Sequence, residues 1–127
     1  MKHILYLIIT CCIVATTYAQ NSGNKEDNLK PYYLVLLKKG PHRDQDSTTA
    51  ARIQKEHLEN INRMAQSGKL NIAGPFLDDG DLRGVFVFDS SSEDEVRRLV
   101  EADPAVKSGR LTYEIHPWMT QKGTCFR

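Results

Sequence analysis

The sequence predicts an α+β fold in which a four-stranded antiparallel sheet carries two helices on one face. Three observations lead to this prediction. Two stretches have apolar residues at the spacing of amphipathic helices, and four short stretches are rich in branched and aromatic residues. The Asp79-Gly80 pair between the second and third of these short stretches is a strong turn signal, so they should form a hairpin. In chain order the elements read βαββαβ.

The first strand and the first helix have clear limits. The run YYLVLLK, residues 32–38, is bounded by Pro31 and by Gly40-Pro41, which predicts a buried strand. A polar loop follows, and Ser47 is a plausible N-cap for a helix that ends at Gly68. The helix carries an apolar stripe at spacings of three and four: Ala50, Ile53, His57, Ile61 and Met64.

The second half of the chain supplies the remaining elements. Strands are predicted at residues 69–76 and 84–89. Ser92 and Glu95 have the spacing of a capping box, which predicts a second helix that ends near the Asp-Pro pair at residue 103. Residues 110–116 alternate apolar and polar side chains, as a strand with one buried face should.

This order of elements has one dominant solution, the ferredoxin-like split βαβ arrangement, which leaves one sheet face without helices. Successive side chains of a strand point to opposite faces, and both faces of the first strand are apolar. An apolar face without helices usually packs on a partner sheet. We therefore expect a homodimer whose two sheets pack face to face.

The amino terminus has the pattern of a secretory signal peptide. Residues 1–19 contain a basic start, a short apolar run and a small-residue cleavage site at Ala19. A lipoprotein is the alternative, because Cys11 and Cys12 lie in the apolar run. We expect an exported, periplasmic or extracellular protein without a membrane span in its mature form.

The predicted mature chain has three parts. Residues 20–30 are polar and without periodicity, which is typical of a flexible leader. The folded domain should span residues 31–119, and residues 120–127 form a C-terminal tail. The tail holds Cys125, which we interpret as a dispensable thiol, with an intermolecular disulfide as the alternative.

The charge balance argues against one class of partner. Of the 17 Lys and Arg residues, removal of the signal peptide takes away Lys2 alone, which leaves 16 residues of each sign. A neutral chain gives no indication of a nucleic-acid partner.

His57 is the first candidate site residue because it alone interrupts the apolar stripe of the first helix. A packed structural histidine is the alternative, since one residue is weak support for a site. Asp103 is its candidate partner, because it lies where the second helix ends and neighbouring helices would bring it near the first. A carboxylate there could orient the imidazole for general base catalysis. The alternative for Asp103 is a simple turn residue.

Other polar residues give weaker signals. His42 lies in a loop, and His116 is predicted at a strand end, so either would line a pocket rim at most. Arg83 at the hairpin turn could offer positive charge to an anionic substrate, although turn arginines are usually solvated. No residue spacing fits a metal site, a phosphate loop or a nucleophile elbow. We therefore expect no metal and no cofactor.

Residues 32 to about 118 together resemble the YciI-like (YCII-related) family. The resemblance is carried by HLENINRMAQSGKL, AGPF, DGDLRG, EADPAVKSGRL and the closing HPW. It implies a dimeric α+β barrel and an active site built on a first-helix histidine and the Asp-Pro aspartate, which correspond to His57 and Asp103. Many relatives have Phe after Asp-Pro, whereas this chain has Ala105, so the pocket wall should differ.

The resemblance implies lyase or isomerase chemistry on small cyclic compounds, by proton transfer without a cofactor. In this interpretation His57 is the general acid or base, Asp103 orients it, and Arg83 binds substrate. A non-catalytic exported module that holds a small molecule in the same pocket is the alternative. A protein that works through its dimer surface is a third.

Overall fold

The computed structural model describes residues 28–124. It contains four strands and three helices: β1 Leu29–Lys39, α1 Ser47–Gln66, β2 Leu70–Pro75, β3 Leu82–Phe88, α2 Glu93–Glu101, α3 Pro104–Lys107 and β4 Leu111–Gln121. The predicted signal peptide with its cysteines, most of the predicted leader, and Cys125 lie outside the described residues. Within residues 28–124, no helix has both the length and the apolar character needed to cross a membrane.

The sheet has the strand order β2-β3-β1-β4, with every neighbouring pair antiparallel. This confirms the predicted α+β class and the four-stranded antiparallel sheet. The central strand β1 pairs with β3 on one side and with β4 along its whole length on the other.

Strands β1 and β4 are both longer than the sequence predicts. β1 begins at Leu29, so the last residues of the predicted leader belong to the sheet. β4 continues to Gln121, and His116 therefore lies inside a strand and not at its end. Leu29 pairs with Gln121, and Lys30 pairs with Thr120, so each extension provides the hydrogen-bonding partner of the other.

The N-cap of helix α1 lies one residue earlier than predicted. The side chain of Asp46 is the N-cap and accepts from the Thr49 N–H at 2.9 Å, whereas Ser47 is the first helical residue. At the other end Ser67 is the C-cap, and Gly68 follows with φ of 73°, a conformation that favours glycine.

Helix α2 starts at the predicted cap, and a short third helix follows it. Ser92 accepts from the Glu95 N–H at 3.2 Å, but the Glu95 carboxylate accepts from Ser90 Oγ and does not close the reciprocal half of the box. The Asp-Pro pair does not simply make a turn, because Asp103 is the N-cap of α3 and Pro104 is its first residue.

The hydrophobic core lies between one sheet face and the helices. Its buried members come from the sheet, from α1 and from α2: Val35, Leu37, Leu70, Phe86, Phe88, Met64, Val96 and Val100. Because strand residues alternate, the opposite face of β1 presents Leu34 and Leu36, which align with Val87 and Val85 of β3. No helix of the described chain packs on this second face, which we call the open face.

Candidate active site

His57 lies in the third turn of α1 and forms a close contact with Asp103. Its Nδ1 atom lies 2.8 Å from Asp103 Oδ1. The two residues are 8% and 0% exposed, and the His57 ring stacks on Phe86 of β3 with 6.2 Å between the ring centroids. The structure thus brings together the two residues that the sequence singled out, although they are 46 positions apart.

Asp103 receives three hydrogen bonds. The Ala105 N–H donates to Oδ1 at 2.9 Å as part of the α3 cap, and Asn60 Nδ2 donates to Oδ2 at 2.9 Å. Because the other two partners are donors, the short contact with His57 is most simply a third donor bond, from Nδ1–H to the carboxylate. This arrangement fixes the imidazole ring and its tautomer.

The charge of Asp103 is stabilised despite its burial. Burial alone raises the pKa of the carboxyl group, but the hydrogen bonds from His57, Asn60 and Ala105, together with the field of His57, outweigh it and lower the pKa below its ordinary value. Because Nδ1 of His57 is held by Asp103, the second ring nitrogen, Nε2, is the one available to a ligand. Within residues 28–124, every buried side-chain nitrogen and oxygen has a hydrogen-bond partner. None of these residues forms a hydrogen bond with Nε2 of His57, so this nitrogen is not buried and lies at the cavity surface.

Asn60 is a site residue that the sequence analysis missed, since it is not one of the residues of the predicted apolar stripe. It is 7% exposed and holds Asp103, while Arg63 Nη2 donates to its Oδ1 at 3.2 Å. The signal that could have identified Asn60 is its position three residues after His57. Residues at this spacing lie on the same helix face.

A cavity of about 340 Å³ lies beside His57, between α1, the sheet and the start of β4. Its apolar wall is formed by six side chains: Leu37, Ile53, Leu58, Ile61, Phe86 and Leu111. Ala105 also lines it and is 4% exposed, so the small residue of the Asp-Pro-Ala segment does form part of the wall, as expected. This volume suits a molecule built on a single ring.

Three arginines also line the cavity: Arg43, Arg83 and Arg110. The sequence analysis named Arg83 alone and treated Arg43 as part of a loop. Arg43 Nη1 donates to the Arg110 carbonyl at 2.8 Å, Arg83 Nη1 to the Asp78 carbonyl at 3.2 Å, and Arg110 Nη1 to Gln45 Oε1 at 2.6 Å. Burial and the nearby charges of Arg110 and Arg83 lower the pKa of Arg43. No Asp or Glu lines the cavity.

The β1–α1 loop, residues 40–46, is held against the segment that leads into β4. The Gly40 N–H donates to the Arg110 carbonyl at 2.9 Å, and the His42 N–H donates to the Gly109 carbonyl at 3.0 Å. Gly109 has φ of 72°, and a Cβ atom at Gly40 would lie 2.1 Å from the Gly109 carbonyl oxygen. These two glycines allow the close approach that places Arg43 beside Arg110.

The other two histidines of residues 28–124, His42 and His116, lie outside the cavity. His42 is exposed and packs beside Gly109, and His116 is on the open face with its Nε2 3.6 Å from Glu114 Oε2. Among residues 28–124, no three His, Cys, Asp or Glu side chains are grouped closely enough to hold a metal ion.

Comparisons with known proteins agree with this architecture. A family model described as the YCII-related domain matches residues 32–119. The solved 5-chloro-2-hydroxyhydroquinone dehydrochlorinase from Burkholderia phenoliruptrix AC1100, in complex with 2,5-dihydroxybenzoquinone, is 27% identical. That alignment has a TM-score of 0.50 and covers 68% of this chain and 92% of the dehydrochlorinase.

A solved muconolactone isomerase is 14% identical, with a TM-score of 0.58 and coverage of 76% of this chain and 96% of its own. At this identity the likeness shows the fold alone. No curated protein matches the sequence significantly.

Proposed function

This chain belongs to the YCII-related domain family, and from that membership and the geometry of its cavity we propose that it is a cofactor-independent enzyme of the lyase or isomerase type. The observation that carries the proposal is the 2.8 Å contact between His57 Nδ1 and Asp103 Oδ1 at the wall of an arginine-lined cavity. A solvent-accessible imidazole nitrogen whose opposite nitrogen is held by a buried carboxylate is suited to proton transfer.

In the proposed reaction His57 Nε2 accepts a proton from a C–H or O–H group of a small cyclic substrate. The electron pair of the broken bond moves into an adjacent carbonyl or double bond. Return of the proton to another carbon gives an isomer. Departure of a leaving group as an anion instead gives an elimination product, and the imidazolium then releases its proton to water. Asp103 stays ionised and stabilises the imidazolium, and Arg83 faces the negative charge that develops on oxygen.

Chlorinated hydroxyhydroquinones are the first substrates to test, because the 27% identical neighbour is a dehydrochlorinase of such a compound. Chloride release and the absorbance of the quinone product would measure elimination. Deuterium exchange of ring hydrogens in D₂O, followed by NMR, would detect proton transfer on cyclic ketones and lactones even without net conversion.

We expect His57→Asn and Asp103→Asn each to lower kcat by roughly 10²- to 10⁴-fold, the usual contribution of general acid–base catalysis. His116→Asn is the matched control, since His116 lies on the other sheet face, and it should keep wild-type turnover. Equal turnover in wild type and His57→Asn would contradict the proposal. Ligand binding without any turnover or exchange would instead favour the alternative, a small-molecule-binding module.

Two further proposals concern the setting of this activity. Residues 1–19 have the sequence pattern of a signal peptide, and we propose that the protein acts in the periplasm or outside the cell. We also propose that it forms a homodimer through the open face, in a dimeric α+β barrel. The apolar centre of that face supports this arrangement.

A further inference from the structure

The three cavity arginines are positive charges held in place by neutral partners. Their hydrogen bonds go to two backbone carbonyls and to the side-chain oxygen of Gln45. Within residues 28–124 no carboxylate forms an ion pair with any of the three, whereas Arg52 and Arg97 each pair with a glutamate on their own helix. The neutral partners therefore position the guanidinium groups without cancelling their charge.

Each arginine also keeps donors for a ligand. A guanidinium group has five N–H donors, and the hydrogen bond of each arginine described above uses only one nitrogen. Such groups suit bidentate recognition of carboxylates and related anions. The carboxylate of Asp103, which contacts His57 in the cavity wall, is fully buried and already accepts from three residues.

The arginines form two groups. Arg43 donates to the backbone carbonyl of Arg110 at the start of β4, and the guanidinium of Arg110 is close enough for its charge to act on Arg43. Arg83 is anchored separately, to the turn between β2 and β3. Burial, followed by repulsion from Arg110 and Arg83, lowers the pKa of Arg43, and a bound anion would relieve the repulsion.

We propose that Arg43, Arg83 and Arg110 form a binding site for a small organic dianion with an apolar body, such as a ring that carries two acidic groups. One acidic group would bind between Arg43 and Arg110 and the other at Arg83, while the ring contacts the apolar wall. This assignment rests on the proposed function only in that the same cavity holds the substrate.

Isothermal titration calorimetry with three stable probes of one ring size tests the proposal: terephthalate, benzoate and benzamide. We expect terephthalate to bind more tightly than benzoate by about tenfold or more, and benzamide to bind most weakly. Raising the ionic strength should weaken terephthalate binding and leave benzamide binding unchanged. Terephthalate affinity that equals that of benzamide, or that does not change with salt, would overturn the proposal without any mutation.

Arg43→Gln, Arg83→Gln and Arg110→Gln should each lower the affinity for terephthalate by about 10- to 100-fold, as loss of a charged hydrogen bond does. Arg52→Gln is the matched control, because Arg52 is exposed and paired with Glu56, and it should bind like wild type. If a glutamine variant does not fold, the corresponding lysine variant replaces it, because lysine keeps the positive charge. This lysine variant should bind terephthalate more weakly than the wild type does, but more tightly than it binds benzamide.

Unchanged terephthalate affinity in folded arginine variants would overturn the proposal. His57→Asn separates it from the proposed function, since this variant should lose turnover and keep its terephthalate affinity. Retained dianion binding with no turnover in any assay would contradict only the proposed enzymatic function. Turnover that depends on His57 but does not depend on the three arginines would contradict only the proposed dianion-binding site.

Discussion

At the scale of single residues, the buried negative charge of Asp103 is stabilised by three hydrogen-bond donors, so the loss of any one of them should destabilise the charge. Asn60 and the Ala105 N–H hold the carboxylate where it can orient His57. The sequence allowed us to predict the pair of His57 and Asp103 because a histidine on an apolar stripe is visible in the periodicity. Asn60 was missed because an amide has no such signature, and its role depends on a residue 43 positions away.

Asn60→Ala should lower the free energy of unfolding at pH 7 by about 1–3 kcal/mol, since one oxygen of a buried carboxylate loses its donor. The lowered pKa means that ionised Asp103 stabilises the fold above its ordinary pKa of 3.8, and that this stability is lost as the pH falls below that value. The variant should therefore begin acid unfolding at a higher pH. Urea unfolding at a series of pH values measures both effects.

Asn62→Ala provides the control for this experiment, because Asn62 is exposed on the same helix. It should unfold like wild type at every pH. Among the described residues, His57 is the ionisable side chain that contacts Asp103. The variant His57→Asn therefore measures how much His57 contributes to the acid unfolding transition. An acid transition of Asn60→Ala that coincides with that of wild type would show that Asn60 does not stabilise the charge.

At the scale of elements, the two long helices and the hairpin followed from local patterns, whereas the strand ends did not. Periodicity and caps are properties of neighbouring residues, so α1, α2 and the β2–β3 hairpin could be predicted. The ends of β1 and β4 depend on each other, because Leu29 pairs with Gln121. The four-residue helix α3 is too short for a periodic pattern and depends on the Asp103 cap.

The contact between the β1–α1 loop and the entry to β4 is an element-level feature that controls the cavity. Gly40→Ala would place a methyl group against the Gly109 carbonyl, so the loop must move and take Arg43 with it. We expect a loss of about 1–3 kcal/mol in the free energy of unfolding, as for other overpacked sites, and weaker terephthalate binding. Urea unfolding and calorimetry measure the two results.

Gly74→Ala is the matched glycine substitution, because a Cβ atom there meets no atom within 4 Å. Its stability should be close to that of wild type. If Gly40→Ala is as stable as Gly74→Ala and binds terephthalate normally, the close approach of the two segments does not position Arg43.

For the whole molecule, the proposed dimer depends on the open face. Its centre is apolar, with Leu34, Leu36, Val85 and Val87, and its border carries Lys38, Glu114 and His116. An apolar centre with a polar border is the usual composition of a protein interface. The sequence predicted this face from the alternation of β1, but a single chain holds no information on what covers it.

Leu34→Glu should convert the proposed dimer into a monomer, since a carboxylate at the centre of a packed interface would be desolvated without a partner. Sedimentation velocity measures the mass. Leu77→Glu is the control, because Leu77 is 97% exposed in the turn after β2 and lies away from this face. A wild-type protein that sediments as a monomer, or a Leu34→Glu variant that remains a dimer, would contradict the proposed interface.

The pairing of β1 with β4 has a consequence for the order of events during synthesis. β1 is made first and lies at the centre of the sheet, yet one of its two edges has no partner until the last strand leaves the ribosome. The sheet cannot be completed before β4 has been synthesised, and contacts of this sequence separation are slow to form. A nascent chain therefore stays incompletely folded until its β4 segment has emerged and paired with β1.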